Sequence, residues 1–159
     1  MAAYERDRQG VSAETVCKGL CDLDIYNSFE KGEDVGDIHV VRMVLQRLGI
    51  SASLAGRYLC RDEYDEIYAR FNILELLRAG RLESAKKAVE EYENRYCVRG
   101  NRLNMQFMTY MNARIAQLDG DTVEALCMYK KAIGYTIEDY GVAEITCISI
   151  YEYFMLANI

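Results

Sequence analysis

The chain lacks proline and tryptophan, has a single histidine (His39), and contains no apolar run approaching the roughly 20 residues that a bilayer crossing needs. Without proline nothing restricts the backbone, so long helices are favoured and proline-turned sandwiches or barrels are not. With one histidine and no cysteine–histidine pair of defined spacing, there is no metal-ligand cluster. There is also no phosphate-cradling glycine loop. Catalysis, cofactor binding and metal binding therefore have no sequence signature. No basic stretch followed by an apolar h-region opens the chain, and a cytoplasmic location is expected.

What is present fits a soluble globular protein. Of 159 residues, 51% are hydrophobic and 28% charged, enough to bury a core in one domain or one domain with an appendage. The six cysteines (17, 21, 60, 97, 127 and 147) fall on apolar helical faces. In the absence of an export signal they are expected to be reduced, buried thiols rather than a disulfide framework. The net charge is −6, and no segment forms a basic arm. Residues 11–34 carry Lys18 and Lys31 against Glu14, Asp22, Asp24, Glu30, Glu33 and Asp34. Any nucleic-acid contact must then come from a few well-placed groups rather than a broad field.

Helical periodicity runs through almost the whole chain, and no alternating strand pattern stands out. Ser12 is a candidate N-cap for a short helix to Leu20. A second helix, 23–31, is expected to bury Ile25, Tyr26 and Phe29 before Gly32. A third, from Ile38, places Val41, Leu45 and Leu48 on one stripe and stops at Gly49. After an irregular passage over 51–59, the pattern predicts helices over 62–79, 82–96, 103–118 and 122–135. The first of these carries Tyr64, Ile67, Phe71 and Leu74 as its apolar face. A last segment, 142–157, is apolar nearly all round, from Ile145 to Leu156. One helix face meets one neighbour, so this segment should be an uncapped edge prone to self-association. His39 and the acidic runs at 62–66 and 90–93 are expected to be ordinary packing or surface groups.

Two turns are copies of one another. Gly80-Arg81-Leu82-Glu83-Ser84-Ala85 matches Gly120-Asp121-Thr122-Val123-Glu124-Ala125, each with an alanine five residues after a glycine. A glycine exit followed by a small residue lets the second helix of a hairpin cross tightly against the first. Both units resemble tetratricopeptide-type hairpins, although the offset of 40 residues between copies exceeds the usual ~34. The resemblance implies a helical-repeat region over residues 60–159, of about two and a half hairpins. Its inner face should take a short peptide or a partner protein, with Asn72, Gln106, Tyr110 and Asn112 as candidate polar groups.

The amino-terminal part carries a second resemblance. Gly10-Val11-Ser12, Gly19-Leu20-Cys21-Asp22, Phe29-Glu30-Lys31-Gly32 and Leu48-Gly49-Ile50-Ser51 follow one another at the spacing of a Cro/C1-type (XRE) helix-turn-helix. With Gln106-Phe107 opening the second repeat, the whole is similar to a group of Firmicute transcriptional regulators that join this domain to tetratricopeptide sensors. The resemblance implies an all-α fold: a helix-turn-helix domain over residues 1–52, then a helical-hairpin solenoid. It implies a homodimeric regulator binding operator DNA, with Leu23, Asp24, Asn27, Ser28 and Lys31 at the start of a recognition helix. Three departures accompany it. The first helix, 2–9, has Tyr4 as its single large apolar residue; acids stand at 22 and 24 where serine is common; and the chain stops inside a third hairpin, as a fragment or shortened paralogue would. The alternative is an interaction module whose helix-turn-helix no longer contacts DNA.

Overall fold

A computed structural model describes residues 2–33, 36–51, 61–98, 100–138 and 147–159. Within these residues every regular element is helical. The helices are α1 (Ala2–Gln9), α2 (Ala13–Cys17), α3 (Leu23–Glu30), α4 (Ile38–Arg47), α5 (Arg61–Arg78), α6 (Leu82–Tyr92), α7 (Arg102–Asp119), α8 (Thr122–Gly134) and α9 (Ile150–Leu156). The chain divides into two compact units, residues 1–57 with 136–154 and residues 58–135 with 155–159. All but the first residue of the passage expected to be irregular, and with it Cys60, lies outside the described residues, as does Ile145.

In the first unit, the starts of α2 and α4 are set by short polar side chains. Ser12 accepts a hydrogen bond from the Thr15 N–H at 3.2 Å and opens α2. Asp37 does the same for α4, accepting from the His39 and Val40 N–H groups. The core is formed by Val16, Leu20, Tyr26, Val44, Leu45 and Leu48, all buried. His39 is buried as well. Helix α2 ends at Cys17, one turn sooner than its periodicity predicts, because Gly19 turns the chain with φ +74°. Tyr4 contributes nothing to the core, being 70% exposed. Polar ties hold α1 instead: the Arg6 guanidinium meets Glu30, and Gln9 Nε2 donates to the Leu48 carbonyl at 2.9 Å.

The second unit is two helical hairpins, α5–α6 and α7–α8, with α7 packed on α6. Their turns close with the same bonds. Arg81 N donates to the Leu76 carbonyl and Asp121 N to the Ala116 carbonyl, both at 2.9 Å. The alanines that follow, Ala85 and Ala125, are fully buried where the second helix of each hairpin crosses the first. The first hairpin carries one irregularity. Helix α6 loosens into a π-helical stretch, Glu93–Cys97, and the Asn104 side-chain amide takes up the Tyr96 carbonyl at 2.9 Å.

Helix α5 does not bury the face its apolar residues suggest. Tyr64, Tyr68 and Phe71 are 58%, 62% and 57% exposed, and it is Ile73 and Leu77 that are buried. Glu66 and Arg70 continue the inner stripe, so charged groups stand where the periodicity expects oily ones. Arg70 donates to the Tyr92 hydroxyl (2.8 Å), Glu66 (3.0 Å) and Asn104 (2.8 Å), and its guanidinium lies 4.7 Å from the Phe107 ring centre. A further correction concerns α3: Tyr26 is buried and Phe29 half-buried, while Ile25 is 40% exposed.

Candidate functional site

The first candidate is built around α2, its turn and α3. Helix α2 is five residues long, and its last carbonyls have no helical partner of their own. Arg47, at the end of α4, supplies one. Its Nη1 donates to the Val16 carbonyl at 2.8 Å and to the Lys18 carbonyl at 2.7 Å. The rest of its guanidinium binds Glu152, with Nε–Oε2 at 3.2 Å and Nη2–Oε1 at 2.5 Å. Both side chains are buried. Glu152 is placed by its own helix start. Its carboxylate accepts from the Ser149 N–H at 2.7 Å, and the Ser149 hydroxyl accepts from the Glu152 N–H at 3.3 Å, a reciprocal cap on α9. Burial alone would raise the Glu152 carboxyl, but the hydrogen bonds and charge of Arg47 outweigh it and hold the group below its ordinary range.

A second ion pair ties α1 to the end of α3. Arg6 Nε meets Glu30 Oε1 at 2.7 Å, and Nη2 meets Oε2 at 3.1 Å, a bidentate arrangement. The Arg6 bond holds Glu30 below its ordinary carboxylate range, against a smaller effect of burial. Burial and the neighbouring carboxylate push the Tyr26 phenol far above its usual range, so it stays neutral.

With that frame in place, the outward side of α3 carries the residues expected to read DNA. Leu23, Asp24 and Lys31 are exposed, and Asn27 and Ser28 are half-buried. Lys18 and Arg42 are exposed bases without a carboxylate partner among the described residues of this unit; Arg8 is exposed too but, like Arg6 and Arg47, holds a carboxylate. Thiol chemistry adds nothing here. Burial raises Cys17, and takes Cys21 up to about 11, leaving both protonated at neutral pH.

The second candidate is a groove between α5 and α6, entirely within the hairpin unit. It encloses about 330 Å³ between Tyr68, Ala69 and Asn72 of α5 and Ala88, Glu91 and Tyr92 of α6. One end is closed by Arg95, whose Nη2 bonds Asp65 Oδ2 at 3.1 Å and whose guanidinium lies 5.1 Å from the Tyr96 ring centre. Of the four polar residues expected to contact a peptide, Asn72 alone lines this groove and is exposed. Gln106 and Tyr110 are buried within α7, the latter with its ring 5.9 Å from that of Tyr129. Asn112 is half-buried, its amide 3.2 Å from the Met108 sulfur. The four are therefore not gathered on one open face.

Sequence reasoning missed Arg47, Glu152, Tyr68 and Glu91. A signal existed for one of them: Ser149-Ile150-Tyr151-Glu152 has the Ser-x-x-Glu spacing of a capping box before an apolar run. No family model, curated protein or solved structure matches the chain.

Proposed function

We propose that this protein is a DNA-binding transcriptional regulator: α2, its turn and α3 form a helix-turn-helix, and the two hairpins form a tetratricopeptide-like ligand-sensing region through which the chain dimerises. The observation that carries the reading is the sidedness of α3. Its inner side is anchored by Tyr26 and by the Glu30–Arg6 pair, while Leu23, Asp24 and Lys31 face solvent beside Asn27 and Ser28. An amide at position 27 can make a bidentate pair with adenine. The helix before the reader is held at its carboxyl end by Arg47, which keeps the turn in one shape. Selection of binding sites from random duplexes by the full-length protein, at low salt, tests the reading. Enrichment of a two-fold symmetric motif is the expected result.

A second reading rests on charge. Three arginines of the amino-terminal unit are engaged by carboxylates, and Leu23 and Ile25 are exposed on the reading side. Under this reading the surface of α3 docks a protein, and the selection returns no motif.

A further inference from the structure

We infer that the groove between α5 and α6 is a binding site for a cationic side chain, lysine or arginine, presented by a short peptide. This inference rests on the proposal that the hairpins sense a peptide, and gives that ligand its chemistry and its place.

Shape comes first. The groove of about 330 Å³ lies at the lower end of the sizes that hold small ligands. It extends from Asp65 to Asn72 along α5, seven helical steps, or about 10 Å at the helical rise. That length suits one long side chain with its flanking backbone. Two alanines, Ala69 and Ala88, leave the space open, and tyrosines flank it.

Charge selects the occupant. Arg95 is committed to Asp65 and lies over the Tyr96 ring, so the one base in the lining is neutralised from within. Glu91 has no basic partner among the described residues. The groove thus carries one carboxylate awaiting a cation. Beside it, Tyr68 and Tyr64 stack at 6.4 Å between ring centres, both about 60% exposed, and offer π faces of the kind that attract guanidinium and ammonium groups. Both tyrosines stand on the side of α5 away from its buried Ile73 and Leu77, open to an incoming group. At the far end the Asn72 amide, a donor and an acceptor together, can pair with a peptide backbone whatever its sequence.

The test uses the full chain and three acetylated, amidated pentapeptides that differ only at the centre: arginine, norleucine or glutamate between two leucines. Calorimetric titration should show the arginine peptide binding about tenfold tighter than the norleucine peptide, and the glutamate peptide weakest. Glu91→Gln should erase most of the preference for arginine, and Tyr68→Ala should weaken the arginine peptide by about fivefold or more. Both positions are exposed or at the groove wall, so circular dichroism of either variant should match the parent. Equal affinity for the three peptides, no heat from any of them, or a preference unchanged in both variants would overturn the inference. DNA selection is measured without peptide, so its outcome separates failure of this site from failure of the regulator reading.

Discussion

Arg47 and Glu152, 105 residues apart in the chain, form a fully buried ion pair that joins the end of α4 to the start of α9. The same guanidinium also holds the carbonyls at the end of α2, so one side chain fixes three segments of the amino-terminal unit. Removing one partner of such a pair leaves an uncompensated charge in the interior. Glu152→Ala should therefore destabilise by about 3–5 kcal/mol. Replacing both, Arg47→Met with Glu152→Leu, should cost less than the sum of the single changes, because no lone charge remains. Urea denaturation of the four proteins measures the coupling directly.

The two arginine-paired carboxylates predict the acid behaviour. Glu152 and Glu30 are both held below their ordinary value of 4.5 by arginine partners. A carboxylate whose folded pKa is depressed contributes stability that is present above the unfolded value. That stability is lost as the pH falls through the folded one. Stability should thus be flat near neutrality and decline below about pH 4.5. Urea midpoints at pH 7, 5 and 3 should show this decline, and in Glu152→Gln the remaining slope should be visibly shallower.

Gly19 is the tightest point of the amino-terminal unit. Its φ of +74° is left-handed, and an added Cβ would stand 2.1 Å from the Thr136 carbonyl oxygen. Gly120 has φ +90° but nothing within 4 Å of the same position. Gly120→Ala should therefore cost only the conformational term, about 1–2 kcal/mol. Gly19→Ala must also displace a backbone, and should cost at least about 3 kcal/mol. Thermal melts of the two variants, run side by side, compare strain alone with strain plus collision.

How much of this was legible depended on whether the buried face was apolar. Helix α4, with Val41, Leu45 and Leu48 on its core side, matched its pattern almost residue for residue, and the paired glycine-to-alanine turns located both hairpins. Helix α5 failed for a physical reason. Its inner stripe contains Glu66 and Arg70, which satisfy one another through Tyr92 and Asn104, while its aromatic residues face outward. A periodicity rule that equates apolar with buried must then choose the wrong side. The carboxyl-terminal segment was legible in part. Ile150, Tyr151 and Phe154 are exposed, as expected of a segment too apolar to bury every face, but the burial of Ser149 and Glu152 was not foreseen. Partners distant in sequence, as Glu152 is from Arg47, leave no local trace of their pairing. The groove was half visible: Asn72 was legible as a polar group on the first helix of a hairpin, but Glu91 looked like any residue of a solvated acidic run.

The α5–α6–α7 network makes its own prediction. The Tyr92 hydroxyl accepts from Arg70 and donates to Glu66 at 2.9 Å, and burial drives its pKa far above the phenol range. Tyr92→Phe keeps the ring against Phe107 and removes two hydrogen bonds to charged groups, at a cost of about 1–3 kcal/mol. Arg70→Met should cost at least as much, since Glu66 and Asn104 both lose a donor. If the phenylalanine variant melts with the parent, the hydroxyl is a bystander and the packing of the rings alone holds the hairpins.

The last prediction concerns DNA and follows from the scarcity of free bases. The chain offers Lys18, Lys31 and Arg42 in the described part of its amino-terminal unit, so about two or three phosphate contacts are available. The logarithm of affinity should fall with the logarithm of salt at a slope of only about −2 to −3 for each chain bound. Asp24, exposed at the start of α3, adds repulsion at close range. Specific binding should consequently require a dimer on two half-sites about one helical turn apart. Asn27→Ala should relax the preference at one base pair of each half-site, costing about 1–3 kcal/mol there. Asp24→Ser should raise affinity for every sequence, cognate or not, because it removes a charge rather than a base contact. Fluorescence anisotropy on the selected site and a scrambled duplex, at several salt concentrations, separates the two effects. Were Asp24→Ser to weaken the cognate site while leaving the scrambled duplex unchanged or tighter, Asp24 would be reading a base and the electrostatic account of its role would be wrong.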